Sequence, residues 1–207
     1  MDLRCGLLGL LVAAAACGSS AAATPARQVR CGPAGARTLA ASGTARVYSV
    51  NSDVYGCSLG GKQSYRLGST ARSIRQGRVG PLALAGRDAA YGFTRYGVDT
   101  LSATVIVVRL SDGEQLHNGS ATSKPLGPEF FQSVESVVVK SDGAVAWVAK
   151  AGSIISRRPA DVEVNRADAR GQLLLDSGAG IDPPSLRLHN STVSWRHGSA
   201  MHSATLR

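Results

Sequence analysis

The sequence predicts an all-β domain behind a short apolar leader. Short runs rich in β-branched and aromatic residues alternate with Gly, Asn and Asp turn signals, and no amphipathic helical pattern of useful length follows residue 24. The apolar fraction of 43% is close to the roughly 45–50% of globular proteins, so a packed core is expected. The 207 residues suit one domain with a removable leader.

Residues 1–23 have the pattern of an export signal. A positive amino-terminal end precedes the uncharged apolar run Leu7–Ala16. This run has the length of a signal h-region and falls short of the roughly 20 residues that span a bilayer. Ala21–Ala23 is a small-residue cleavage site of the ordinary kind. We therefore expect an exported protein.

A second processing mode is also compatible with this leader. Ala13–Ser20 resembles a bacterial lipobox, in which Cys17 would receive a diacylglyceryl group and become the new amino terminus. Ala14 departs from the lipobox pattern, which usually has Leu there. If Cys17 is lipidated, the protein is anchored to a membrane; otherwise it is secreted. In both cases residues 24–30 form a tether and residues 31–207 form the folded domain.

The cysteine count predicts one disulfide bond. Of the four cysteines, two fall in the leader, and Cys31 and Cys57 remain in the exported chain. An oxidising compartment favours their pairing. The closed loop of roughly 25 residues would contribute about 3 kcal/mol in the chain-entropy account. The alternatives are two free thiols or two metal ligands, but a zinc site needs further ligands and no His lies near.

Eleven short segments of the exported chain have strand patterns. They are Ala45–Val50, Asp53–Cys57, Ser64–Leu67, Leu82–Ala85, Ala89–Arg95, Ala103–Leu110, Ser136–Lys140, Val145–Ala149, Leu173–Leu175, Leu186–His189 and Thr192–Arg196. The strongest contains five consecutive β-branched residues, Thr104–Val108. The stretch Arg157–Ala169 favours no structure, and Asn118-Gly119 reads as a loop.

A strand–turn–strand pattern that ends in an aromatic residue recurs four times. The aromatics are Tyr48, Tyr91, Trp147 and Trp195, which are 43, 56 and 48 residues apart. This spacing is near the roughly 40–50 residues of a propeller blade. We therefore predict about four propeller-like units, with a β-sandwich as the alternative, and we expect the four aromatics to be buried at equivalent places.

The third unit contains a family resemblance. Lys140-Ser141-Asp142-Gly143-Ala144-Val145-Ala146-Trp147 resembles the Ser-Pro-Asp-Gly-x-x-Ala-Trp element of TolB-type and WD40-like propellers, except that no Pro stands before the Asp. The resemblance implies that Asp142-Gly143 forms a hairpin turn and that Trp147 packs between blades. It covers about a dozen residues well.

No residues form a recognisable catalytic, cofactor or metal motif. Gly56–Gly60 spells a nucleophile elbow but is followed by turn and strand signals rather than by a helix. The spacings of His189, His197 and His202 lack the short pairs that one element presents to a metal. Asp161 and Glu163 would share one face of a strand, and we interpret them as a solvated edge.

The net charge of +9 is spread along the chain. Its densest run, Arg72–Arg78, has no interleaved aromatics, so nucleic acid is not the expected partner. We expect a non-enzymatic binding or scaffold module at a bacterial cell envelope, with a protein or an envelope polymer as partner and no cofactor. The alternative is an envelope hydrolase whose site is built from loops.

Overall fold

A computed structural model describes residues 31–72, 77–124, 129–155 and 160–207. The predicted signal segment, the tether and Cys17 lie outside the described residues. The described chain contains fifteen β-strands and no helix, so the all-β prediction is confirmed. It follows that no described helix is long and apolar enough to cross a membrane.

The strands fall into four sequential groups, which we call units one to four. Unit one contains β1 (Arg37–Ala41), β2 (Ala45–Val50), β3 (Asp53–Ser58) and β4 (Tyr65–Ser69). Unit two contains β5 (Arg78–Ala85), β6 (Asp88–Tyr96), β7 (Leu101–Arg109) and β8 (Gln115–Ser120). Unit three contains β9 (Phe130–Val139), β10 (Val145–Ser153), β11 (Asp161–Asp168) and β12 (Gly171–Ser177). Unit four contains β13 (Ile181–His189), β14 (Thr192–His197) and β15 (Ala200–Thr205).

Within each unit, strands adjacent in sequence pair antiparallel. A single parallel pair, Ser69 with Arg78, joins unit one to unit two, and Leu101 with Phe131 joins unit two to unit three. Units one to three therefore form one twelve-stranded sheet, whereas unit four is a separate three-stranded sheet. The path of paired strands through the described residues is open, because it does not return from β12 to β1.

Four of the strands have no counterpart among the predicted segments: β1, β8, β11 and β15. β8 contains the Asn118-Gly119 loop signal, yet it pairs along β7 from Gln115 to Ser120. β11 lies inside the stretch Arg157–Ala169, for which the sequence predicted no structure. It was missed because charged and polar residues dominate its sequence. Six consecutive residues of β11, Val162–Ala167, are nevertheless buried, including Glu163, Asn165 and Arg166.

Three hydrophobic clusters fill the spaces between successive units. Val47 and Tyr91 belong to the cluster between units one and two. Val105 and Trp147 belong to the cluster between units two and three. The cluster between units three and four contains Trp195. Strands such as β10 contribute alternate residues to two of these clusters, because side chains along a strand point to opposite faces.

The four repeated aromatics occupy the second strand of their units, and each is at most 4% exposed. Tyr91, Trp147 and Trp195 lie in the cluster shared with the preceding unit. Among the described residues no unit precedes Tyr48, which packs with the disulfide. The predicted burial is confirmed for all four aromatics, and a place facing the preceding unit is shared by three of them.

Cys31 and Cys57 are bonded, with their Cα atoms 5.8 Å apart, as predicted. The bond holds the segment before β1 against the outer face of unit one, where Tyr48 and Tyr55 stack. The guanidinium of Arg46 donates to the carbonyls of Cys31 (2.9 Å) and Ala36 (2.6 Å), which ties both ends of this segment to β2.

Asp142-Gly143 forms the tip of the β9–β10 hairpin, as the resemblance implied. The N–H of Lys140 donates to the carbonyl of Ala144 (2.8 Å), and the carboxylate of Asp142 accepts from the N–H of Ala144 (3.1 Å). Gly143 has a φ of +85°, and a Cβ there would lie 2.6 Å from Leu116. Glycine is therefore required both by backbone conformation and by the close approach of unit two.

Candidate functional site

A half-open pocket of about 340 Å³ lies where units two and three meet the end of the described chain. Residues from four places in the chain surround it. They are Leu116 and His117 of β8, Asp142, Gly143 and Ala144 of the β9–β10 hairpin, Ala167, Asp168 and Ala169 at the end of β11, and Arg207.

His117 forms the buried side of this pocket. Its imidazole packs on the indole of Trp147, with ring centroids 5.8 Å apart. Burial lowers the pKa of His117, so the ring is neutral at pH 7. Its Nε2 atom is buried and has no hydrogen-bond partner among the described residues. The imidazole therefore contributes a neutral ring surface to the pocket, and its Nε2 atom is not accessible to a ligand.

Asp168 lies at the end of β11 with a side chain that is 0% exposed. Its carboxylate is 2.5 Å from the guanidinium of Arg166 and accepts the N–H groups of Arg170 (3.0 Å) and Arg207 (3.1 Å). Burial by itself raises the pKa of Asp168, but these N–H donors and the charge of Arg166 outweigh it and hold the pKa below its usual range. Asp168 is therefore ionised at neutral pH.

Asp142 contributes the second carboxylate. Its Oδ2 atom is 2.7 Å from Nζ of Lys140. Partial burial raises the pKa of Asp142, whereas the hydrogen bond from Lys140 and that from the N–H of Ala144 lower it, with a net decrease. The pocket is thus lined by two ionised aspartates, by Arg207 and by one neutral imidazole, and of the two carboxylates only that of Asp142 is exposed.

Among the described residues, the polar groups of this pocket do not include a general acid, and they are suited to holding a polar ligand. A general acid needs a raised pKa, and both carboxylates have lowered ones. Neighbouring charges of both signs can instead hold a polar ligand in one orientation.

We expect the ionised state of Asp168 to make the protein less stable in acid. Because its folded-state pKa is lowered, its contribution to stability is complete above the unfolded value of about 4 and disappears as the pH falls through the folded-state pKa. Asp168→Asn should therefore be less stable than the wild type at neutral pH, and this difference should shrink towards pH 2.

Urea unfolding of both proteins from pH 7 to about pH 2 measures this effect. Asp53→Asn is the matched control, since it removes one half-exposed carboxylate from unit one. A stability difference between wild type and Asp168→Asn that stays constant over the whole range would contradict the account.

The carboxylates singled out in the sequence have structural partners. The interpretation of Glu163 as part of a solvated edge is wrong, because Glu163 is 1% exposed. Its carboxylate accepts the N–H of Ser123 (2.7 Å), the hydroxyl of Ser123 (2.7 Å) and the amide of Asn165 (3.2 Å). Asp161 is exposed and pairs with Lys124. Together these bonds fasten the segment after β8 to β11.

The other sequence candidates are dispersed. Gly56–Ser58 belongs to β3, and a turn follows it, so no strand-to-helix elbow exists there. His197 and His202 come together on β14 and β15, with Asp176 of β12 beside them, whereas His189 is not part of this group. Sequence patterns did not indicate His117, Asp168 or Arg207, because these residues are far apart in the sequence and are brought together only by the fold.

No protein-family model matches the chain, and no curated protein matches it.

Proposed function

We propose that this protein is a non-enzymatic binding module of a bacterial cell envelope, built as an open arc of four propeller-like units. The pocket between units two and three is the observation on which the binding role rests, because the exposed, ionised carboxylate of Asp142 shares its lining with His117 and Arg207.

The packing of the units supports the propeller-like arrangement. Units two, three and four each turn the aromatic of their second strand towards the unit before it, as blades do. The two ends of the arc differ from the middle. The disulfide and the segment from residue 31 cover unit one, and the outer face of β14 presents Thr192, Ser194 and Arg196, which are polar and not fully buried. Terminal repeats with such a polar outer face are typical of repeat architectures.

We infer export from the leader, with anchoring through Cys17 or secretion after Ala23 as the two routes. A disulfide that joins the first described residue to β3 fits an oxidising compartment. The partner is then a polar polymer or protein of the envelope, and the exposed hairpin ends of units two and three are where it binds.

Sedimentation with purified, insoluble cell-wall polymer tests this function. We expect the wild type to sediment with the polymer and Asp142→Asn to bind about tenfold more weakly, since a hydrogen bond to a charged group contributes about 1.5 kcal/mol or more. Asparagine keeps an oxygen that can accept the Ala144 N–H, so the hairpin should survive, and the variant loses the charge together with the exposed ion pair to Lys140.

Asp53→Asn is the control, because it removes a carboxylate that is also ion-paired and partly exposed, but lies in unit one. Equal binding by the two variants would remove the pocket from the binding site. Soluble fragments released from the polymer would contradict a non-enzymatic role.

A further inference from the structure

A second group of polar side chains lies between units three and four, apart from the pocket described above. Asp176 is on β12, the last strand of unit three, while His197 and His202 are on β14 and β15. The β14–β15 register pairs Trp195 with His202 and His197 with Ala200. His197 and His202 are therefore diagonal neighbours on the face that Trp195 turns towards unit three.

The distances within this group suit shared coordination of one ion. One ligand atom from each residue, an imidazole nitrogen or a carboxylate oxygen, lies within 4.8 Å of the other two. Nδ1 of His197 is 3.1 Å from Oδ2 of Asp176. Ligand atoms at about 2.0–2.2 Å from a tetrahedral zinc ion are about 3.4 Å apart, so small side-chain rotations would close the site.

The surroundings hold these three side chains in place. The indole N–H of Trp195 donates to Oδ2 of Asp176 (2.7 Å), and the ring of His202 stacks on the same indole at 5.9 Å. A Cβ at Gly178 would be 2.8 Å from the imidazole of His197, so only glycine leaves room for this ring. Hydrogen bonds and packing that orient the ligands are what metal sites in proteins require.

The site is also accessible. The side chains of Asp176 and His197 are 18% and 31% exposed, and His202 is an exposed residue. An ion can therefore enter from solvent, and positions beyond the three protein ligands remain available to water.

We propose that Asp176, His197 and His202 form a binding site for a divalent transition-metal ion of the zinc class. Zinc-class ions bind readily to imidazole nitrogens together with a carboxylate, whereas magnesium and calcium take oxygen ligands. The two imidazoles and one carboxylate of this group therefore suit a zinc-class ion. Because the ligands come from two units, a bound ion would join the outer edge of unit three to unit four. This site does not depend on the binding pocket proposed above.

Calorimetric titration of the untagged protein with Zn²⁺ tests the proposal, and Co²⁺ provides a visible absorption spectrum that reports tetrahedral nitrogen and oxygen ligation. We expect one ion per chain and a higher Tm with Zn²⁺, since a ligand that binds only the folded state stabilises it. His202→Ala should weaken binding at least about tenfold, the loss that even an outer partner of a metal ligand causes.

His189→Ala is the matched control, because His189 is an exposed histidine of the same unit outside the group. It should bind Zn²⁺ like the wild type. His202 is exposed, so His202→Ala should keep the metal-free Tm of the wild type, and its loss of binding then cannot result from unfolding. Zn²⁺ affinity unchanged in His202→Ala, or no binding by the wild type at micromolar Zn²⁺, would overturn the proposal.

Discussion

Replacing Trp147 with Ala should lower the free energy of unfolding by about 3–5 kcal/mol, as expected for truncating a fully buried tryptophan. Trp147 is 0% exposed and lies in the middle of the cluster between units two and three. Its indole N–H donates to the carbonyl of Ala121 (2.7 Å), which would lose its partner. A cavity and an unsatisfied buried carbonyl would therefore arise together.

Urea unfolding monitored by circular dichroism measures the loss. Trp147→Phe separates its two causes, because phenylalanine refills most of the space but cannot donate to Ala121. Met201→Ala is the control for removing a large apolar side chain from the surface, where Met201 is 66% exposed. It should change the stability by no more than about 0.5 kcal/mol. A loss below about 1 kcal/mol for Trp147→Ala would show that units two and three do not depend on this contact.

Removing the disulfide should also have a large effect. The double variant Cys31→Ser, Cys57→Ser opens a loop with a sequence separation of 26 and should lose about 3 kcal/mol. The chain-entropy account attributes this loss to the greater freedom of the unfolded chain. The segment from Cys31 to Ala36 would then stay on unit one only through its contacts with Tyr48 and the two bonds from Arg46.

Thermal unfolding with and without a reducing agent measures this effect. The reducing agent should lower the Tm of the wild type and leave that of the double variant unchanged. Alkylation of Cys31 and Cys57 in the native, unreduced protein would show that the bond does not form. A reduced wild type as stable as the oxidised one would show that the bond contributes little.

Much of the fold could be predicted because its signals are local. The β-branched run Thr104–Val108 lies in β7, and each of the four repeated patterns corresponds to the first two strands of a unit. The aromatics were recognisable because burial between units requires a large apolar side chain at the same place in each second strand. The disulfide was predicted from the number of cysteines expected to remain after the leader and from the oxidising compartment that the leader led us to expect.

The strands that were missed depend on distant partners. β11 buries Glu163 and Arg166, which no local pattern predicts. The free-energy cost of burying these two charged side chains is offset by hydrogen bonds from distant residues. Ser123 lies 40 residues from Glu163, and the carbonyl of Thr205 lies 39 residues from Arg166. β8 and β15 each pair with one neighbouring strand, and three of the six residues of β8 and five of the six residues of β15 are exposed. Their strand conformation therefore comes from pairing with β7 and β14 rather than from their own composition.

The sequence by itself determined the all-β class, the four repeated hairpins, the buried aromatics and the Cys31–Cys57 bond. Hydrophobic periodicity and turn residues reflect local interactions, and the cysteine count needs no structure, so all three can be read from the sequence. Only the tertiary structure decided which polar side chains meet. His117 and Asp168 line one pocket because units two and three pack against each other. Asp176 reaches His197 and His202 because the β14–β15 register turns both histidines towards β12. Such encounters depend on strand register and on the packing of whole units, which the local signals do not contain.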